Sequence, residues 1–244
     1  MPKIGIRFFG SLVDLVKEHY IEFDPGINQS IKDCIERLGV PHTEVYFITL
    51  NGNFVKFDRI VNDGEHYFVY PECDLEIPSE YVLTPKHEGI PKFILDIHLG
   101  KLARYLRMFG ISAEYGLIDD NAIIEKAISE KLIILTKDRQ MLKKNEVIYG
   151  YIVRADTLKK QLYEVTLKYN LQKWFNPFTR CMECNGELVS ISKQEVLNRL
   201  PEKVKERYEE FAVCRQCGKV YWGGTHYENM NNFIEEFIKN LIKE

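Results

Sequence analysis

Four cysteines and four aspartates are the residues of this chain whose types and spacing could do chemistry. The cysteines form two pairs, Cys181-Met-Glu-Cys184 and Cys214-Arg-Gln-Cys217, with a glycine close behind each. Thiols three residues apart face one side of a tight turn, and two such turns make a tetrahedral four-thiolate site for zinc. A closed shell of four sulfurs leaves no position for substrate, so the expected zinc is structural. The 29 residues between the pairs exceed a usual spacer of roughly 15–20. They predict an insertion, opened by Pro201 and continued by a helix over EKVKERYEEF. With no secretion signal, metal is favoured over disulfides. Cys34 and Cys73 lie far from the pairs and read as plain thiols.

Asp96 lies within the apolar run FILDI, where an uncompensated carboxylate is costly. Asp120, Asp138 and Asp156 stand where helices begin, positions at which aspartate is a favoured N-cap. If the four converge, they repel one another until a cation neutralises them. Hard oxygen donors select Mg²⁺ or Mn²⁺, and such a site suits hydrolysis of a phosphodiester. Lys101, Arg104 and Arg107 on one helix, with Lys137 and Arg139 beside Asp138, are the candidate contacts to nucleic-acid phosphates. Tyr221, Trp222, His226 and Tyr227, behind the second cysteine pair, carry rings that can stack on bases or pack the ribbon.

The elements that must position these residues can be read from hydrophobic periodicity. From Pro91 to about Asn170 strands and helices alternate: FILDI, then LGKLARYLRMFG; SAEYG, then DNAIIEKAISE; LIILT; and VIYGYIVR, then DTLKKQLYEVTLKY. That order predicts a doubly wound parallel sheet whose binding edge lies at the carboxyl ends of its strands, where all four aspartates would fall. Leu99, Leu102, Ala103, Leu106 and Phe109 make the buried stripe of the first helix, with Lys101 and Arg104 opposite.

Residues 1–77 read as a small mixed sheet with one helix from Ser30 to Leu38 and a hairpin at Asn51-Gly52, the pattern of a β-grasp, ubiquitin-like module. The stretch NDGEHYFVYP resembles the end of sulfur carriers of that fold. Those end in a free Gly-Gly whereas this chain continues, so the module is expected to dock a protein partner. A linker over 78–91 holds Pro78, Pro85 and Pro91. An α/β nuclease-like module over 92–175, a zinc ribbon over 176–228 and an amphipathic helix over 229–244 complete the expected order. The stripe of that last helix comprises Phe233, Ile234, Phe237, Ile238, Leu241 and Ile242.

Net charge is −7 over residues 1–90, +5 over 91–175 and −1 over 176–244, so an anionic partner is expected for the middle module. No run approaches the roughly 18 apolar residues of a membrane span, and a soluble, cytoplasmic protein is expected. The runs FILDIHLGKLARYLRMFG, DDNAIIEKA and ILTKDR resemble PIN-like nucleases, specifically the Mut-seven C-terminal RNase family. The resemblance implies a PIN-like fold, RNA as substrate, a following zinc ribbon and a preceding ubiquitin-like domain. It also implies that Asp96, Asp120 and Asp138 occupy the places of three metal-site acids, with Asp156 a looser match and Asp119 or Glu125 as alternates to Asp120. Similarity to PIN nucleases further implies products with a 5′-phosphate and a free 3′-hydroxyl. The rivals are a non-catalytic RNA-binding or adaptor protein, and a phosphorylated receiver domain. The receiver lacks its acidic pair, since Asp96 stands alone at its strand end.

Overall fold

The computed structural model describes residues 3–241. Ile242 of the expected C-terminal stripe therefore lies outside the described residues. The first module runs β1 (Ile4–Phe8), α1 (Val13–Val16), β2 (Tyr20–Phe23), α2 (Ile31–Arg37), β3 (Phe47–Leu50), β4 (Asn53–Val55) and β5 (His66–Tyr70). Its sheet has the order β2-β1-β5-β3-β4, with β1 parallel to β5 and the other neighbours antiparallel. This is the expected β-grasp. A capping box between Ser30 and Asp33 starts α2, which buries Ile31, Cys34 and Ile35 against the sheet. Asn51 and Gly52 turn the β3–β4 hairpin with φ of 51° and 80°, the left-handed pair that a tight hairpin requires.

The proline-bearing segment after β5 is strapped to this sheet. Leu83 N donates to Tyr46 O (2.9 Å) and Thr84 Oγ1 donates to His42 O (2.8 Å). The Tyr81 ring stacks on Phe54 at 5.5 Å.

The alternating region contains β6 (Phe93–Leu95), α3 (Gly100–Met108), β7 (Ala113–Tyr115), α4 (Asp120–Glu130), β8 (Ile133–Thr136), α5 (Arg139–Leu142), β9 (Gly150–Ile152) and α6 (Leu158–Lys168). β6 pairs in parallel with β7, and β8 in parallel with β9, as an α/β order demands. Packing does not follow chain order. The chain through Gly89 forms one compact unit with Leu117–Ile152, and Ile90–Gly116 forms the other with the chain from Val153 onward.

In the first unit the β-grasp module packs on the β8–β9 segment. Ile152 N donates to Glu44 Oε1 (2.9 Å), His42 Nε2 to Val147 O (3.0 Å), and Lys32 Nζ to Asn145 Oδ1. Glu44 is only 9 % exposed, so its bond to the β9 backbone is made away from water.

The second unit adds β10 (Leu188–Ile191), α7 (Lys193–Val196), α8 (Glu202–Arg207), β11 (Phe211–Cys214), β12 (Val220–Trp222) and α9 (Thr225–Leu241). The three strands form an antiparallel sheet, β10-β11-β12. The insertion expected in the cysteine spacer is α7 and α8, and α8 stops at Arg207, short of the expected EKVKERYEEF, because Phe211 already enters β11. Val196, Leu200, Val204 and Phe211 give it a small core of its own. The C-terminal stripe docks on α3: Phe233 meets Tyr105 at 5.1 Å and Phe237 meets Phe109 at 5.2 Å, both edge to face. No helix of the described residues is long and apolar enough to cross a membrane.

Candidate functional site

The four cysteine sulfurs converge, all within 4.8 Å of one another. Cys181 and Cys217 Sγ lie 3.6 Å apart, and Cys184 and Cys214 Sγ 3.3 Å apart. Zn–S bonds of about 2.3 Å in a tetrahedron put sulfurs about 3.8 Å apart, so the cluster has the dimensions of a four-thiolate site. In the first knuckle Cys181 N donates to Gly186 O (2.7 Å) and Asn185 N to Cys181 O (2.9 Å). In the second, Cys214 N donates to Lys219 O and Gly218 N to Cys214 O, both at 2.9 Å. The first turn is made by Asn185 and not by the glycine that follows it. Asn185 carries the left-handed φ of 68°, while Gly186 is needed for space: a Cβ there would lie 2.8 Å from Cys214 Sγ. Gly218, with φ of 75°, does make the second turn. Tyr221, a candidate for base stacking, donates its hydroxyl to Cys181 Sγ at 3.1 Å. Burial, then that bond, pushes the phenol's ionisation well above its ordinary value.

The first knuckle is anchored on the α3–β7 segment. Arg107 is 3 % exposed, and its guanidinium donates to Ala113 O (2.7 Å), Met182 O (3.0 Å) and Glu183 O (2.8 Å). These bonds give Arg107 a structural role in place of the expected phosphate contact, its guanidinium spent on carbonyls although the residue also borders a cavity. The Asn185 side chain takes Ala113 N (3.0 Å) and donates to Glu114 Oε1 (2.7 Å) and Ser112 Oγ (3.1 Å). Arg104, exposed as expected, pairs with Glu183 Oε1 at 2.5 Å, and Lys219 Nζ reaches the same oxygen at 2.8 Å. The bonds from Lys219 and then Arg104 hold the Glu183 carboxyl below its ordinary value.

Two of the aspartates belong to this second unit. Asp96 follows β6 directly and is 4 % exposed; Oδ1 accepts from His98 N (2.8 Å), capping a single 3₁₀ turn over Ile97–Leu99. Asp156 is exposed and shares with Lys101, Arg104, Tyr115 and Glu183 the lining of a 740 Å³ cavity. The loop that carries it is fixed by two residues the sequence reading missed. Glu164 of α6 accepts from Arg154 N and Ala155 N, each at 2.9 Å, and Gln161 Nε2 donates to Ala155 O at 3.0 Å. Their period on α6 is the signal that could have found them, since both face the turn before the helix. Gly100 lets the Tyr115 ring lie on the first turn of α3, where a Cβ would meet Tyr115 Cζ at 2.5 Å.

The other two aspartates belong to the first unit. Asp138 caps α5, accepting from Gln140 N (2.8 Å), and its own N–H donates to Thr136 Oγ1 (2.8 Å), which fixes the loop. At α4 the cap is Asp119, which accepts from Ala122 N (2.8 Å); Asp120 is the first helical residue, one place later than expected for a cap. At α6 the cap position is Thr157, which leaves Asp156 outside the helix. Lys137 is exposed beside Asp138. Arg139 lies against the β-grasp module: a Cβ on Gly39 would sit 2.6 Å from its Nη1.

A β-grasp module, parallel βα units and a cysteine-knuckle sheet in one chain define a compound architecture. The chain belongs to the Mut7-C RNAse domain family, whose model matches residues 91–234, and residues 1–75 match the Mut7-C ubiquitin model. Among solved structures, the small archaeal modifier protein 1 of Haloferax volcanii is 11 % identical with a TM-score of 0.26, covering 30 % of this chain and 100 % of its own. A Pyrococcus furiosus protein described as a candidate subunit 1 of a molybdopterin converting factor is 21 % identical, with the same TM-score of 0.26 and coverages of 30 % and 100 %. No curated protein matches the chain.

Proposed function

We propose that this chain is a metal-dependent ribonuclease that hydrolyses RNA phosphodiester bonds. The supporting observation is Asp96. Its carboxylate is 4 % exposed at the carboxyl end of β6, inside the stretch that matches the Mut7-C RNAse domain model, and the carboxyl ends of parallel strands are where such sheets bind their ligands. The acids proposed as ligands of Mg²⁺ or Mn²⁺ are Asp96 and Asp156 and, by the family resemblance, Asp120 and Asp138; their hard oxygens suit either ion, and among the described residues the four cysteines are the one group found at metal-ligand distances. Bound there, the ion would lower the pKa of a water nucleophile and neutralise charge developing on the phosphate.

The chain's own side chains do the positioning. Glu164 and Gln161 hold the loop of Asp156, and Thr136 holds that of Asp138. Lys101, exposed in the Asp156 cavity, is the residue for a substrate phosphate there. The four thiolates would hold zinc in a structural role. RNA is the proposed substrate, and the β-grasp module is the proposed site for a protein partner. The test is cleavage of a panel of labelled RNAs with Mn²⁺, with Mg²⁺ and without added divalent ion, by the wild type and by Asp96→Asn. Cleavage should need the added ion and fall by orders of magnitude in the variant. Wild-type cleavage by a folded Asp96→Asn protein would return Asp96 to its cap and end the proposal.

A further inference from the structure

A second recess in the second unit is separate from the Asp156 cavity in most of its walls. It is a cleft of 1390 Å³ between the exposed face of the β10–β12 sheet, α8 and the start of α9. Tyr208, Trp222 and Tyr227 present rings to it, and Lys203 and Arg207 of α8 stand on its rim. Both cations are exposed. Among the described residues neither side chain has a hydrogen bond or ion pair; of the acids lining the cleft, Glu183 is paired with Arg104 and Lys219 and Glu209 with Lys193, and Glu210 is the third. Tyr208 and Trp222 are half-buried, packing on the small core of α7 and α8 while also lining the cleft. Tyr227 is 39 % exposed, with its ring 4.5 Å from Phe178.

We propose that this cleft binds a single-stranded stretch of RNA, with bases against Tyr227 and Trp222 and phosphates against Lys203 and Arg207. The inference deepens the ribonuclease reading and rests on it for the choice of RNA. Aromatic rings beside unpaired cations are the two parts of sequence-tolerant single-strand binding, stacking for bases and charge for the backbone. A duplex hides its base faces and cannot use the rings. An apolar peptide would use the rings and leave both cations without a counter-charge. The cleft therefore sets the form of the substrate, an unpaired segment held on the ribbon.

The test measures binding apart from cleavage, on full-length Asp96→Asn protein without added Mg²⁺ or Mn²⁺. The probe is a short fluorescein-labelled oligouridylate, with a matching RNA duplex and polyglutamate as competitors. Lys203→Gln/Arg207→Gln should weaken binding about tenfold and lower the slope of log affinity against log salt by about 1.4. Tyr227→Ala should weaken it about tenfold with little change of slope. Because Trp222 supports the core, it is probed in place: in a Trp174→Phe background, RNA should quench its emission. Unchanged affinity in both variants, absence of quenching, or equal competition by duplex or polyglutamate would overturn the proposal. Binding without cleavage by the wild type would sink the nuclease and leave the cleft standing. Cleavage without any effect of these variants on binding would sink the cleft and leave the nuclease.

Discussion

The two cysteine knuckles share one spacing and differ in almost everything around it. The first turns on Asn185, and its backbone and side chain are bonded to α3 and β7 through Arg107, Ala113, Ser112 and Glu114. The second turns on Gly218; Arg215 N donates to Glu187 O (3.0 Å), and Cys217 is exposed. One knuckle is thus part of the α/β unit, and the other is held by the shared sulfur cluster, its own short strands and the Arg215–Glu187 and Arg199–Gly218 contacts. The difference teaches that a motif's spacing reports what it binds, whereas its flanking residues report what it is built into. The pattern also explains why Arg107, on a helix rich in exposed cations, is spent on carbonyls.

The largest break in the comparison should come from the ligands themselves. Cys181→Ser, at a sulfur with no exposure, should abolish metal binding and unfold β10–β12, because a closed thiolate shell contributes folding energy directly. Cys217→Ser, at an exposed residue, should retain a weakened site with water as the fourth ligand. Metal content by elemental analysis and amide exchange over residues 181–222 would show whether the two positions differ. Equal loss in both variants would erase the asymmetry.

Next in size is the anchor. Arg107→Leu leaves three carbonyls without their donor and should destabilise the second unit by about 3–5 kcal/mol, each unsatisfied buried group costing about 1–3. Urea unfolding followed by Trp emission measures it. A loss below about 1 kcal/mol would mean water replaces the guanidinium and the first knuckle is no more embedded than the second.

The turn residues sharpen the contrast further. Asn185→Gly keeps a left-handed backbone but removes the side-chain bonds, so about 2 kcal/mol should be lost. Gly218→Ala removes no bond and strains only the turn at φ of 75°, at about 1 kcal/mol. Reversal of that order in thermal melts would contradict the division of roles.

The smallest effect concerns a cysteine outside both knuckles. Burial pushes the Cys34 thiol up from about 9 to about 11. A raised folded pKa means its contribution to stability is complete below about 9 and is lost as pH rises towards 11. Alkylation at pH 8 should therefore leave Cys34 unmodified in the folded protein while denatured protein reacts, as mass spectrometry would record.

What the sequence determined by itself was whatever rests on short-range geometry. The sulfur spacing, the Ser30 capping box, the Asn51-Gly52 turn and the α3 stripe are each settled within a few residues, so their pattern survives in one dimension. The β-grasp order and the parallel βα units follow from periodicity in the same way. Arg107 marks the limit of that method. It stands four residues after Ala103 and so falls on the buried stripe, yet its charge argued for solvent. Only the approach of Met182 and Glu183 carbonyls, 75 and 76 positions along the chain, makes burial affordable. The same holds for Glu44, which accepts from a backbone N–H of β9 108 positions away. Tertiary structure decided these because a polar group's fate depends on which partner reaches it after the chain has folded, and no local pattern encodes that partner.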